Sequence, residues 1–275
     1  MEKRKRPIGI FDSGVGGLTV FKEVIDLLPG EDIIYLGDTA RVPYGARSSQ
    51  TIIKYSRETT KFLMSQDIKL LVVACNTSSA VSLPSLQQEN EVPVIGVIEP
   101  GALKAATVTR NKRIGVIGTE GTVRSQAYQR AIQGVNLQLT VIARACPLFV
   151  PLAEEGWVDT QVTRLTAHNY LGPLREDVID TLVLGCTHYP LLEGIIGEVM
   201  GDGVFLVNSG KETAKEVKRV LDDEGLMSVK EKGGSYTFYV TDNAMRFREV
   251  GERFLGRELK KVEEIDPWIR FPYPL

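Results

Sequence analysis

Cysteine is scarce in this chain, with 3 among 275 residues. So small a number makes no disulfide framework, and the default state of each is a reduced thiol. Histidine is scarcer still, with 2. Neither a C-x-x-C pair nor an H-E-x-x-H helix is written, so no metal is expected. No stretch approaches the roughly 18 apolar residues of a membrane span. An excess of one charge is also missing: 33 Lys and Arg stand against 35 Asp and Glu, for a net charge of −2. That balance lacks the basic footprint of a nucleic-acid binder. The basic start from Met1 to Arg6 runs into Asp, Ser and four glycines between Pro7 and Gly17, not into the apolar core of a signal peptide. The reading is therefore a cytoplasmic protein with no membrane and no nucleic-acid partner. There is no G-x-S-x-G elbow, no G-x-x-x-x-G-K-[ST] phosphate loop, and no lysine placed at a motif that would mark a pyridoxal Schiff base. No cofactor is expected.

What is present is a βα rhythm. Ile8 to Phe11 reads as a strand, and Leu18, Phe21, Val24, Ile25 and Leu28 then share one helical face closed by Pro29-Gly30. Ile33 to Leu36 is a second strand, and Gly37 to Gly45 is rich in turn residues. A helix from about Gln50 to Ser65 leads into the apolar run Leu70 to Ala74, and Val92 to Ile98 reads as the next strand. Hydrophobic residues at 43% and charged residues at 25% are ordinary for a folded domain, and 275 residues suit two of them. The second half restarts the pattern. Arg113 to Gly121 echoes Pro7 to Gly14, with Ile114 standing 106 positions after Ile8. We expect an α/β protein of two similar lobes, each a mostly parallel sheet flanked by helices, with the site in the cleft between them. The expected division is 1–98 and 208–275 for the first lobe, whose later part includes a strand at Tyr236 to Val240 and a helix at Ala244 to Leu255. The second lobe is 99–207.

The two echoing halves each carry a cysteine at the end of an apolar run, Val72-Val73-Ala74-Cys75-Asn76-Thr77 and Val183-Leu184-Gly185-Cys186-Thr187-His188, 111 positions apart. Ligands gather at the carboxyl ends of strands in open α/β sheets, so both thiols stand where chemistry is expected. A strand-end cysteine that opens a helix is placed to become a thiolate. Two like acid/base groups in like settings suit a reaction that removes a proton from one face of a carbon and returns one to the other. Cys146 has no such context and reads as core. His188 is more interesting than His168, since an imidazole beside a thiol can manage protons near neutral pH. Asp12-Ser13-Gly14-Val15-Gly16-Gly17 follows a strand, but Thr19 stands where a dinucleotide fingerprint needs glycine. Pro84 is expected to limit the helix that follows Cys75.

Taken together, Ile10 to Leu18, Gly37-Asp38-Thr39, Pro43-Tyr44-Gly45, Ala74 to Thr77 and Leu184 to Pro190 resemble the aspartate/glutamate racemase family, and within it the glutamate enzymes. The resemblance implies cofactor-independent interconversion of L- and D-glutamate. Cys75 would act on the D-enantiomer and Cys186 on the L-enantiomer, with Asp12 assisting the first and His188 the second. Glu154 matches an auxiliary acid, although Glu155 adjoins it. Asp12, Ser13, Tyr44, Gly45, Asn76, Thr77, Thr187 and His188 would line the substrate site. The family further implies a supply of D-glutamate for peptidoglycan synthesis, and its members are often homodimers. A racemase of aspartate and a non-catalytic amino-acid-binding protein are the competing readings.

Overall fold

A computed structural model describes residues 2–266. In its first part the chain runs β1 (Ile8–Asp12), α1 (Leu18–Leu27), β2 (Ile33–Gly37), α2 (Ser49–Met64), β3 (Leu70–Val73), α3 (Asn76–Glu89) and β4 (Val94–Gly96). It continues with α4 (Ile98–Val108), β5 (Arg113–Gly118), α5 (Glu120–Ser125), α6 (Ala127–Val135), β6 (Thr140–Ala145), α7 (Phe149–Glu154), α8 (Gln161–Glu176), β7 (Thr181–Gly185), α9 (Glu193–Met200) and β8 (Phe205–Asn208). The last stretch is α10 (Ser209–Asp223), β9 (Tyr236–Val240), α11 (Ala244–Leu255) and β10 (Val262–Glu264). The strands form two sheets, in the orders β10-β9-β2-β1-β3-β4 and β6-β5-β7-β8, and every pairing is parallel.

The sheets repeat one plan. The order β2-β1-β3-β4 in one matches β6-β5-β7-β8 in the other. In register, Phe11 pairs with Val73 and Gly118 pairs with Gly185. Each cysteine thus leaves a strand flanked by the first and last strands of its four-strand set. β1, β3 and β7 are buried along their whole length, as expected of parallel strands covered on both faces. α1 buries Leu18, Phe21, Val24 and Ile25 on one stripe. Phe21 meets Tyr35 of β2 and Phe238 of β9, with ring centroids 6.2 and 5.1 Å apart. Burying an aromatic of this size contributes about 1.5–3 kcal/mol, so the late strand β9 is held firmly to the first sheet. The main apolar core is continuous across both sheets, from Ile8 and Phe21 to Phe149, Leu184 and Tyr189.

Two local expectations are corrected. The strand anticipated at Val92 to Ile98 is only Val94–Gly96, because Ile98 already opens α4. Pro100 falls in the first turn of that helix, where a missing N–H costs nothing. Pro84 does not end α3, which passes through it to Glu89. Leu83 and Leu86, on either side, are both buried, and that packing outweighs the lost intrahelical bond.

Beneath the first sheet lies a buried ion pair. Lys69 Nζ is 2.5 Å from Glu31 Oε2, and the two side chains are 1% and 2% exposed. The ammonium also donates to the carbonyls of Arg4 and Leu226, while Glu31 Oε1 accepts the Ser228 N–H. The pair therefore pins the N-terminal segment and the α10–β9 connection to β3. Breaking one partner of such a pair strands a buried charge and costs about 3–5 kcal/mol. Lys69→Met should lower unfolding free energy by that much in urea titration. The double variant Glu31→Leu/Lys69→Met should lose less than Lys69→Met alone; an equal or greater loss would show that the charges do not act as a pair.

Candidate active site

The carboxyl ends of the two sheets flank a cavity of about 400 Å³. Ser13, Tyr44, Gly45, Cys75, Asn76 and Thr77 line it from one side; Thr119, Glu154, Cys186, Thr187 and His188 line it from the other. Every residue that the sequence singled out is thus on its wall except Asp12, which is buried behind it at 1% exposure. Cys146 is fully buried and takes no part, and His168 lies on the exposed side of α8. Thr119 was missed. It occupies in the second sheet the place that Ser13 holds in the first, so the internal repeat was the signal that could have found it.

The site is built by exchange between the two halves. Thr187 and His188, which follow Cys186, rest on the glycine loop after β1. A Cβ on Gly16 would come within 2.3 Å of Thr187 Oγ1 and 2.5 Å of the His188 ring, so no larger residue fits. Thr19 Oγ1 donates to the Thr187 carbonyl at 2.8 Å. In the mirrored contact, Thr77 Oγ1 lies 2.9 Å from Thr119 Oγ1 and 3.3 Å from Thr122 Oγ1. Gly45 closes against Thr119, where a Cβ would meet the threonine at 2.9 Å. That loop is fixed from below by buried Asp38, which accepts from Arg41 Nε at 2.6 Å, from Thr241 Oγ1 at 3.0 Å and from the Tyr44 hydroxyl.

The two thiols have unlike neighbours. Cys75, 5% exposed, lies 3.6 Å from Ser13 Oγ. Burial, reinforced by the nearby Asp12 carboxylate, pushes its thiol up to about 11. The start of α3 works in the direction the sequence suggested, through the Ser78 N–H, but desolvation and a like charge outweigh it. Asp12 itself is raised by burial, against the pull of His188 and of the Gly14 N–H, which Oδ2 accepts at 2.8 Å. Cys186 Sγ is 3.8 Å from His188 Nδ1, and His188 Nε2 is 2.9 Å from Glu154 Oε1. Burial would lower the imidazole, but its bonds to Cys186 and Glu154 prevail and raise it to about 10. Of the two adjacent glutamates, Glu154 reaches the imidazole and Glu155 does not. Glu155 turns instead to Arg246 of α11 at 2.7 Å, and Arg253 of the same helix donates to the Glu154 carbonyl at 2.7 Å.

The model for Asp/Glu/hydantoin racemases matches residues 8–217. The chain belongs to that family. It is 57% identical over 260 residues to a glutamate racemase of Geobacter metallireducens, covering 94% of this chain and 96% of that one. Among solved structures, a glutamate racemase of Bacillus anthracis superposes with a TM-score of 0.93 at 41% identity, covering 96% of this chain and 98% of that one. A glutamate racemase of Francisella tularensis, solved in complex with D-glutamate, gives 0.90 at 39% identity with the same coverage. These neighbours agree with the fold expected from the sequence, two parallel sheets flanked by helices.

Because the folded-state value of His188 lies above its ordinary 6.5, the stabilisation that its pairing supplies is complete below about pH 6.5 and fades as pH rises toward 10. Glu154→Gln should move the His188 midpoint in an NMR titration downward. The same substitution should destabilise the fold more at pH 6.5 than at pH 10.5. A midpoint that stays near 10 in the variant would remove Glu154 from the pairing.

Proposed function

We propose that this family member interconverts L- and D-glutamate, with Cys75 and Cys186 as the two acid/base groups and no cofactor. The observation that carries the reading is one cavity reached by two thiols from equivalent strand ends of two repeated sheets. The names of the relatives support glutamate as the substrate. In this reading residues 2–98 and 208–266 form one lobe and 99–207 the other, so that a substrate in the cleft has a cysteine on each face of its α-carbon. Residue 1 and residues 267–275 of the expected first lobe lie outside the described residues.

The unequal neighbours give each thiol a direction. An imidazolium held by Glu154 beside Cys186 is the partner a thiolate needs. Cys75, pushed up to about 11, keeps its proton at neutral pH. In the L-to-D direction Cys186, acting as a thiolate beside the imidazolium, takes the α-proton, and the Cys75 thiol delivers its own proton to the opposite face, giving D-glutamate. The D-enantiomer needs the reverse distribution, with Asp12 as the group whose charge responds beside Cys75. The α-proton is weakly acidic, so fixed dipoles must hold the developing carbanion charge in a site shielded from water. No lysine or arginine lines the cavity among the described residues. Asn76, Thr77 and Thr187 at the two strand ends, with the hydroxyls of Ser13 and Thr119, are the donors present for the substrate's carboxylates. D-glutamate made this way would feed peptidoglycan synthesis in the cytoplasm.

Purified protein should racemise either enantiomer by polarimetry without added pyridoxal phosphate or metal. Cys75→Ser and Cys186→Ser should each lose about 10²–10⁴-fold, the weight of a positioned acid/base group. Full activity in either variant would remove that cysteine from the mechanism, and an inactive wild type would overturn the functional reading itself.

A further inference from the structure

Asn76 carries a buried side chain whose two ends are treated differently. The residue is 3% exposed and lines the cavity at the start of α3. Its Oδ1 accepts the hydroxyl of Tyr128 at 2.7 Å, while its Nδ2 is buried with no hydrogen-bond partner. An amide N–H left unmatched costs about 1–3 kcal/mol, so a folded protein retains one chiefly where something else completes it. Tyr128 belongs to α6 in the other half of the molecule, is 3% exposed, and packs its ring where a Cβ on Gly185 would stand, next to Cys186. Burial keeps its phenol above the usual range, so its hydroxyl retains the proton it donates.

We propose that Tyr128 is a positioning residue that fixes the Asn76 amide with its N–H donors, not its oxygen, available to a carboxylate of the bound substrate. This rests on the glutamate reading above. Apart from the His188 imidazolium, which Glu154 already holds, the cavity wall offers an anionic substrate no lysine or arginine among the described residues, so the polarity of each neutral group matters to whether it attracts or repels. An Asn amide turned the other way would set an acceptor against the carboxylate. By holding Oδ1 from the other half of the molecule, Tyr128 also links this donor to the contact between the two halves.

The test is a double-mutant cycle on kcat/KM for both enantiomers, with wild type, Tyr128→Phe, Asn76→Ala and the double variant. Tyr128→Phe, which keeps the ring, should lower kcat/KM about tenfold, on the scale of one hydrogen bond, and mostly through KM. Asn76→Ala should cost far less in the Tyr128→Phe background than in wild type. Asn76→Asp should be worse than Asn76→Ala, because it presents an acceptor where a donor is needed. Penalties that simply multiply, or an Asn76→Asp variant better than Asn76→Ala, would overturn the proposal while leaving the racemase reading intact. A wild type inactive on glutamate would overturn that reading instead.

Discussion

The site depends on a reciprocal contact: the segment after each cysteine is seated on the loop that follows the central strand of the other sheet. Thr187 and His188 rest on the glycine loop of β1, and Thr77 rests on Thr119 and Thr122 beyond β5. A side chain at Gly16 would push the imidazole away from this seat. Because the contact is mutual, neither half holds a complete site. The pairing of Cys186 with His188 and Glu154 also leans on the first sheet's side, through Arg253 of α11 at the Glu154 carbonyl and a perpendicular contact of Phe254 with the His188 ring, centroids 5.5 Å apart.

Symmetry of placement is combined with asymmetry of charge. Register makes Asp12 equivalent to Gly118 and His188 equivalent to Thr77, so each half keeps one ionisable helper that the other lacks. Both cysteines are nearly fully buried, 5% and 6% exposed. What differs is their neighbours: a carboxylate beside one and an imidazole with its acid beside the other. A low-dielectric cleft magnifies such differences, since screening by water is weak there.

Much of this was legible in the residues. The apolar runs before Cys75 and Cys186 marked buried parallel strands, and the repeated spacing anticipated two sheets of one plan. The helix Ala244 to Leu255 was read at its observed bounds, because its apolar spacing is bounded by Asn243 and Gly256. What escaped depends on distance across the cleft. Tyr128 lies in an ordinary amphipathic helix, and nothing local tells that its hydroxyl reaches Asn76. The thiol of Cys75 was expected to be lowered by the helix it opens. Its upward shift follows from complete burial beside Asp12, 63 positions earlier in the chain. Glu154 and Glu155 are indistinguishable in sequence, and only the turn at the end of α7 sends one to His188 and the other to Arg246.

The central claim is that two separate cysteines, one as thiolate taking a proton while the other as thiol gives one, serve opposite faces of one carbon. It is tested most directly by proton NMR of the reaction in D₂O, started from each enantiomer and followed through the first few per cent of conversion. The account predicts that newly formed product carries deuterium at Cα while the remaining substrate keeps its protium, from either direction. Deuterium entering the remaining substrate as fast as the product would mean that one exchangeable base serves both faces, and would contradict it.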